Sequence, residues 1–265
     1  MLATSNKVIH LRRTIVSLFV LAVCLGFTAC SGDDDVWIPP RDMPTPYYDQ
    51  SYFSWEEGRC RYQVPQGSSG KTGVDVSEYQ GSIDWYAVAS DGIDFAFLRI
   101  GYRGTTEGNL FADQHFEENY ASAQEAGIAC GAYFFSQATN AAEAEEEASF
   151  VLELLGGRAL DYPVVYDLEV ASGTRVSGID DDAATACAQA FCSTIQAAGY
   201  DVMVYGNYYD LMRYNDDVLS AYDLWLAEYA DHPSYDRRFL IWQYSNEGTV
   251  AGIGSGVDLN LDLGM

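Results

Sequence analysis

The segment 162–169, with the sequence YPVVYDLE, ends in two carboxylates that are spaced i, i+2 after a short apolar run. Alternate side chains of a β-strand share one face and lie about 6.5–7 Å apart, so we expect Asp167 and Glu169 to point the same way. Carboxylate pairs at such separations suit glycosidic cleavage, because one acid protonates the leaving oxygen and the other stabilises positive charge. Crowding two like charges also raises the pKa of one member. Acid pairs of this spacing are common on solvated surfaces too, so the motif needs support from the rest of the chain.

Alternating strand and helix patterns run from residue 73 to about residue 213. Short β-rich runs predict strands, and longer stretches that end at glycine predict helices. This βαβα order favours a parallel sheet with helices outside it. The predicted strands are 73–76, 94–100, 128–135, 162–169 and 200–205, and the predicted helices are 84–90, 112–126, 141–155, 181–198 and 208–213.

Three more predicted strands, at 224–227, 239–243 and 257–259, have connections too short for full crossover helices. A complete (β/α)₈ barrel needs about 250 residues, whereas residues 73–265 number only 193. We therefore predict an α/β fold, a truncated TIM-like barrel of eight strands and about five helices. It would form a single catalytic domain over residues 73–265.

Active sites of such barrels lie at the carboxyl ends of the strands. Asp75, Asp167, Glu169, Tyr205 and Asp258 all fall at or near a predicted strand end. We expect the acids of strands one, four and eight to converge in an acidic cleft. This convergence supports glycosidic chemistry far better than the acid pair alone.

The first 29 residues have the pattern of an export signal, with a basic start and an apolar run over 15–27 that is short for a membrane span. The run closes on Phe-Thr-Ala before Cys30, which resembles the lipobox of bacterial lipoproteins, although Phe27 is atypical where Leu is usual. Lipidation at Cys30 would anchor the protein to a membrane, and an ordinary secretory signal is the alternative.

The acidic run 31–35 resembles the signal that sends some Gram-negative lipoproteins to the cell surface. We therefore expect an exported, membrane-anchored protein at the outer membrane or cell surface.

Residues 30–72 are rich in Pro, Asp, Gly and Ser, which predicts a tether. The scattered aromatic residues of this segment would either stay disordered, dock on the domain or bind sugar rings. They are Trp37, Tyr47, Tyr48, Tyr52, Phe53 and Trp55.

The formal net charge is −25, and loss of a leader with three basic and no acidic residues would leave −28. Such an acidic body repels nucleic acid, so binding to a phosphate backbone is excluded. Six cysteines form no disulfide framework. Cys187 and Cys192 would point apart on one helix, and nothing in the spacing of Cys60 and Cys130 indicates that they pair.

Metal ions and organic cofactors are not expected. Outside the leader the chain has two histidines, His115 and His232, and neither lies in a cluster with ligand spacing. An all-oxygen Ca²⁺ or Mg²⁺ site among the many acids is the alternative, but no loop has EF-hand spacing. The chain also has no GxSxG elbow or phosphate-binding loop.

Eight segments between residue 73 and about residue 262 resemble glycoside hydrolase family 25, the lysozyme-type muramidases also called Cellosyl-like or Chalaropsis-type. They occur in the order and at the spacing of that family. The resemblance implies a flattened (β/α)₅(β)₃ barrel, in agreement with the fold predicted above. The segments are GVDVSEYQG (73–81), DFAFLRIGYRG (94–104), GAYFFS (131–136), PVVYDLE (163–169), MVYGN (203–207), LWLAEY (224–229), IWQYS (241–245) and VDLNLD (257–262).

The resemblance also implies hydrolysis of the β-1,4 bond between N-acetylmuramic acid and N-acetylglucosamine in peptidoglycan. Carried over by motif, Glu169 is the general acid. Asp167 either orients the acetamido group of the substrate or stabilises the oxocarbenium-like transition state directly. Asp75 and Asp258 flank the cleft, tune the pKa of Glu169 and hold the sugar.

Tyr133, Tyr205 and Trp225 are the expected hydroxyl and stacking contacts to the sugar, with a core aromatic as the alternative for each. Gln243 would donate hydrogen bonds to the sugar or to an acid. Arg99 is also expected to bind substrate, although the segment that it begins, RIGYRG, departs from the KATEG-like sequence frequent in the family. Phe134 likewise replaces a frequent His. We expect a monomer whose partners are glycan strands and, through Cys30, a membrane. A barrel that binds peptidoglycan without cleaving it is the alternative.

Overall fold

The computed structural model of the chain describes residues 48–65, 67 and 69–264. The predicted leader, the lipidation site Cys30 and the aromatic residues Trp37 and Tyr47 lie outside the described residues. Within the described part, no helix is both long and apolar enough to span a bilayer.

The elements of this part include both strands and helices up to residue 219 and are strands thereafter. The strands are β1 (Phe53–Glu56), β2 (Arg59–Tyr62), β3 (Lys71–Val76), β4 (Phe95–Arg103), β5 (Leu110–Ala112), β6 (Ala129–Phe135), β7 (Val164–Asp167), β8 (Val202–Asn207), β9 (Asp223–Ala227), β10 (Ile241–Gly248) and β11 (Val257–Asp262). The helices are α1 (Trp85–Ser90), α2 (Phe116–Glu125), α3 (Ala141–Leu155), α4 (Asp181–Ala197), α5 (Tyr208–Leu211) and α6 (Asp216–Leu219).

Eight strands close into a barrel in the order β3-β4-β6-β7-β8-β9-β10-β11, and β11 pairs back onto β3. Neighbouring strands from β3 to β10 are parallel, whereas β11 is antiparallel to both of its neighbours. Helices follow each of the first five barrel strands, and the described connections 228–240 and 249–256 contain none. The predicted truncated barrel is confirmed.

The predicted helix over 112–126 is wrong at its start. Residues Leu110–Ala112 form β5, which pairs antiparallel with the end of β4, and this pairing also extends β4 beyond the predicted residue 100. The helix begins only at Phe116, after Asp113 accepts a hydrogen bond from the His115 backbone N–H at 2.9 Å. By contrast, α3 has the predicted bounds, because Asn140 caps its first turn and Gly156 ends it with a left-handed φ of 56°.

Two apolar cores hold the barrel together. The larger one lies between the barrel and its outer cover, and the smaller one fills the lumen. The rings of Phe95 and Phe97 enter the lumen over Gly73 and Gly131, where an added Cβ would lie 2.3 and 2.5 Å from ring atoms. The smaller core consists of Phe95, Phe97, Val165, Met203, Tyr205, Trp225, Ala227 and Ile241.

The β1–β2 hairpin covers the side of the barrel that lacks helices. The rings of Phe53 and Trp55 pack edge-on against Trp242 of β10, with centroid separations of 5.5 and 6.4 Å. Tyr48 is buried and donates a hydrogen bond to the Pro233 carbonyl at 2.9 Å. This part of the predicted tether is therefore folded onto the barrel, and its described aromatic residues take part in that packing. Composition concealed this, because the apolar partners lie far away in β10 and in the loop before it.

Replacing Phe53 by alanine should destabilise the whole barrel if the hairpin is part of the domain. A buried Phe→Ala change costs about 3–5 kcal/mol, and Phe53 is partly exposed, so we expect a loss of about 1–3 kcal/mol in the free energy of unfolding. Urea denaturation measures this loss, with Ser54→Ala on the exposed face of β1 as control. Equal stability of the two variants would show that the hairpin contributes nothing to the barrel.

Candidate active site

A cleft of about 530 Å³ opens at the carboxyl ends of the parallel barrel strands. All nine residues predicted to act on substrate line this cleft, so the structure brings them together; their roles stay predictions. They are Asp75, Arg99, Tyr133, Asp167, Glu169, Tyr205, Trp225, Gln243 and Asp258. Sequence reasoning missed the other lining residues, namely Ser77, Tyr79, Gln80, Tyr102, Gly104, Thr105 and Phe135.

The acid pair does not lie on one strand. Strand β7 ends at Asp167, which is buried, and Glu169 follows in the loop, where its side chain is open to the solvent of the cleft. The loop is tied to α5, because the Val170 backbone N–H donates to Asp210 at 3.4 Å. The loop and this contact therefore place Glu169, and strand alternation does not.

Asp75 and Asp258 face each other across a strand pair. Asp75 lies on β3 and is the register partner of Asp258 on β11. The expectation that Asp258 lies at the carboxyl end of a strand is wrong, since it is the second residue of β11. Because β11 runs antiparallel to β3, its amino end lies at the edge where the parallel strands have their carboxyl ends.

One glutamine amide links the two aspartates to two tyrosines. Gln243 Nε2 donates to Asp75 Oδ2 at 2.9 Å and to Asp258 Oδ2 at 3.3 Å. Gln243 Oε1 accepts from the hydroxyls of Tyr205 and Tyr229, each at 2.9 Å. Of the two alternatives for Gln243, the structure shows a donor to acids. Sequence reasoning missed Tyr229, which is the last residue of the LWLAEY segment. Its hydroxyl donates to the Gln243 amide at the centre of this network.

Asn260 forms a second support for Asp75. Its Nδ2 donates to Asp75 Oδ2 at 2.7 Å, and its Oδ1 accepts from the indole N–H of Trp225 at 2.8 Å. Trp225 is only 2% exposed and stacks on Phe97 with centroids 4.5 Å apart, so its contacts are those of a core aromatic. Asn260 lies two residues after Asp258 in VDLNLD, and strand alternation would have placed both on one face.

Asp167 is buried in the wall of the cleft. Burial, followed by the charges of Glu169, Asp75 and Asp210, raises the pKa of its carboxyl well above the ordinary range, and Arg99 opposes the shift. Its Oδ1 is buried and has no hydrogen-bond partner among the described residues. Since buried polar atoms nearly always have a partner, a donor from the substrate would complete this site.

The pKa of Glu169 is also raised. Enclosure by the cleft is the first cause, and the carboxylates of Asp210 and Asp258 add to it. Asp210 is buried at the start of α5 and is 41 residues away in sequence, too far for a motif to reveal. A raised pKa favours the protonated form of a carboxyl group, which is the form that a general acid needs.

Arg99 is paired inside the protein. Its Nε donates to Asp113 Oδ2 at 2.8 Å, and its Nη2 lies 3.1 Å from Glu78 Oε1. Two carboxylates therefore offset its charge at the wall of the cleft, which leaves less of that charge for an anionic substrate group.

The described residues contain no group of three or more His, Cys, Asp or Glu side chains that could hold a metal ion. The four described cysteines are buried free thiols. They are Cys60, Cys130, Cys187 and Cys192, and burial raises the pKa of each thiol.

Asp75→Asn should stabilise the protein at neutral pH. Burial and then the charge of Asp258 raise the pKa of Asp75 well above its usual value, although Asn260 and Gln243 oppose the shift. A carboxyl group whose pKa is higher in the folded protein than in the unfolded chain stabilises the fold at pH values below its unfolded pKa. This stabilisation is lost as the pH rises through the pKa of the folded state. The asparagine does not titrate. The difference in melting temperature between the variant and the wild type, in favour of the variant, should therefore grow as the pH rises from about 4 to 7. Asp217→Asn, at an exposed helix start, is the control. A constant difference across this range would contradict the assignment.

Comparisons with known proteins agree with this geometry. The family described as Glycosyl hydrolases family 25 matches residues 74–253. Lysozyme M1 of Streptomyces globisporus is 31% identical over 74% of this chain and 69% of its own, and the autolytic lysozyme of Clostridium acetobutylicum is 28% identical over 71% of this chain. The present chain spans only 54% of that second relative. The bacterial lysozyme of Streptomyces coelicolor superposes with a TM-score of 0.59 at 28% identity, over 73% of this chain and 92% of its own. The chain belongs to glycosyl hydrolase family 25.

Proposed function

We propose that the protein is an N-acetylmuramidase that hydrolyses the β-1,4 bond between N-acetylmuramic acid and N-acetylglucosamine in peptidoglycan. One observation carries the proposal: Glu169, with a raised pKa, shares a cleft with the buried and unpartnered Oδ1 of Asp167. The two curated relatives named above as lysozymes support it. The non-hydrolysing barrel is not favoured, because all four acids stand together at the cleft.

The proposed reaction uses the substrate's own acetamido group. Glu169 gives its proton to the glycosidic oxygen as the C1–O bond breaks, and the acetamido oxygen bonds to C1 to form an oxazolinium ring. The positive charge of that ring favours the ionised form of Asp167, so its carboxylate accepts the ring N–H and offsets the charge. Water then attacks C1 and loses a proton to the Glu169 carboxylate. This attack reopens the ring, and the configuration at C1 is retained overall.

Mass analysis of the products from defined peptidoglycan fragments tests the activity. We expect new fragments that carry muramic acid at the reducing end, together with a fall in the turbidity of purified cell walls. Fragments with glucosamine at the reducing end, or intact substrate, would contradict the proposal.

Cys30→Ser tests the proposed location. We propose that the protein is exported and is held at a membrane by lipid on Cys30, on the strength of the lipobox-like sequence before it. The variant should move from the membrane fraction to the soluble fraction, because its anchor is missing. Unchanged fractionation, checked against the wild type expressed in the same cells, would refute lipidation at this residue.

A further inference from the structure

A hairpin stands beside the cleft on the edge of the barrel. Strand β4 continues past its pairing with β3, which ends at Leu98, and pairs with β5, where Tyr102 is the register partner of Phe111. The two rings stack with centroids 5.3 Å apart and an interplanar angle of 26°. The end of β4 therefore builds one wall of the cleft, in the part of the chain that departs from the KATEG-like sequence.

Arg99 connects this hairpin to the turn after β3. Its guanidinium carbon lies 4.9 Å from the ring centroid of Tyr102 and 5.0 Å from that of Tyr79. Cation–π contacts of this kind hold a ring in place, and the ion pairs to Asp113 and Glu78 hold the guanidinium. We call Phe111, Tyr102, Arg99 and Tyr79 the aromatic stack.

Tyr79 is the exposed end of the aromatic stack. Its side chain is 78% exposed, although it lines the cleft that contains the acids. Its backbone is nevertheless fixed in a 3-10 turn, in which Ser77 and Gln80 form a capping box. The preceding Glu78 N–H also donates to Asp113 at 2.9 Å. An aromatic ring presented from a fixed backbone inside a binding cleft loses less entropy on binding than one on a mobile loop.

The charges around the aromatic stack decide which group it accepts. Two carboxylates offset Arg99, and Asp75, Asp167, Glu169 and Asp258 also line the cleft. An anionic group would be repelled here, whereas a pyranose ring with equatorial substituents offers a neutral face of C–H bonds. That face complements the negative face of a tyrosine ring.

We propose that Tyr79, held by Arg99, Tyr102 and Phe111, is a stacking platform for an uncharged N-acetylglucosamine ring of the glycan strand. The inference rests on the proposed function for the identity of the strand. Tyr79 is the binding residue, and Arg99 is a positioning residue that sets the angle of its ring.

Calorimetric titration with neutral β-1,4-linked N-acetylglucosamine oligosaccharides, from dimer to hexamer, tests the platform. The parent is Glu169→Gln, which prevents turnover during the titration. Adding Tyr79→Ala should weaken binding of the longer oligosaccharides about three- to tenfold. Tyr79→Phe should stay within about twofold of the parent, because it keeps the ring face. The control is Tyr86→Ala, on an exposed tyrosine of α1 that does not line the cleft.

Equal affinities of the parent and the Tyr79→Ala variant would overturn the platform. So would the absence of measurable binding by the parent, or binding that requires the carboxylate of muramic acid. Hydrolysis of peptidoglycan by the protein with Glu169 intact is measured separately. Binding that does not depend on Tyr79, together with normal hydrolysis, would refute this inference alone. Binding that depends on Tyr79, together with no hydrolysis, would refute the proposed function alone.

Discussion

Glu169→Gln is expected to reduce turnover of peptidoglycan fragments by about 10²–10⁴-fold, the usual contribution of a positioned general acid. The amide has the shape of the carboxyl group but cannot deliver a proton to the leaving oxygen. Affinity for the glycan should therefore largely survive. Single-turnover rates measure the first effect, and calorimetric titration measures the second.

Glu153→Gln, on the exposed surface of α3, is the matched control and should hydrolyse like the wild type. The raised pKa of Glu169 also predicts the direction in which turnover changes with pH. Because the acid acts in its protonated form, the turnover of the wild type should fall as pH rises through that pKa. A Glu169→Gln variant within about twofold of the wild type would refute the assignment.

Asp167→Asn should have the second largest effect, a loss of about 10²–10³-fold in turnover. The substitution replaces a carboxylate that would offset the oxazolinium charge by a neutral amide. Ground-state binding should change much less, since an amide oxygen can still accept the N–H of the acetamido group. A thiazoline mimic of the oxazolinium ring should inhibit the wild type and bind less tightly to the variant.

Proton NMR of the fresh product separates this route from its competitor. Retention gives the β-anomer first, before mutarotation mixes the two forms. In the competing account, Asp167 or Asp75 activates water on the opposite face of the sugar, which gives inversion. An α-anomer as the first product would rule out the substrate-assisted route.

Local patterns account for most of the barrel and for the residues gathered at its cleft. Strand and helix periods, the cap at Asn140 and the stop at Gly156 are short-range features, so they can be read along the chain. The rule that parallel strands present their carboxyl ends together then predicts that Asp75 and Asp167 meet. Short final connections likewise predict that helices are missing after the last three strands of the barrel.

Contacts between distant segments were decided only by the tertiary structure. Because β11 is antiparallel to β3, Asp258 reaches the cleft from the amino end of its strand. The local pattern of VDLNLD does not predict whether the strand runs parallel or antiparallel to its neighbours. The amide of Gln243 is committed to the two aspartates because β10 lies beside β11. The β1–β2 hairpin packs on residues that follow it by more than 170 positions. The sequence by itself determined the eight barrel strands, most of the helices and the acids that they carry, because those properties depend on neighbouring residues. The tertiary structure alone decided the pairing of these acids and the covering of the helix-free side, because burial and charge depend on groups that meet only when the barrel closes.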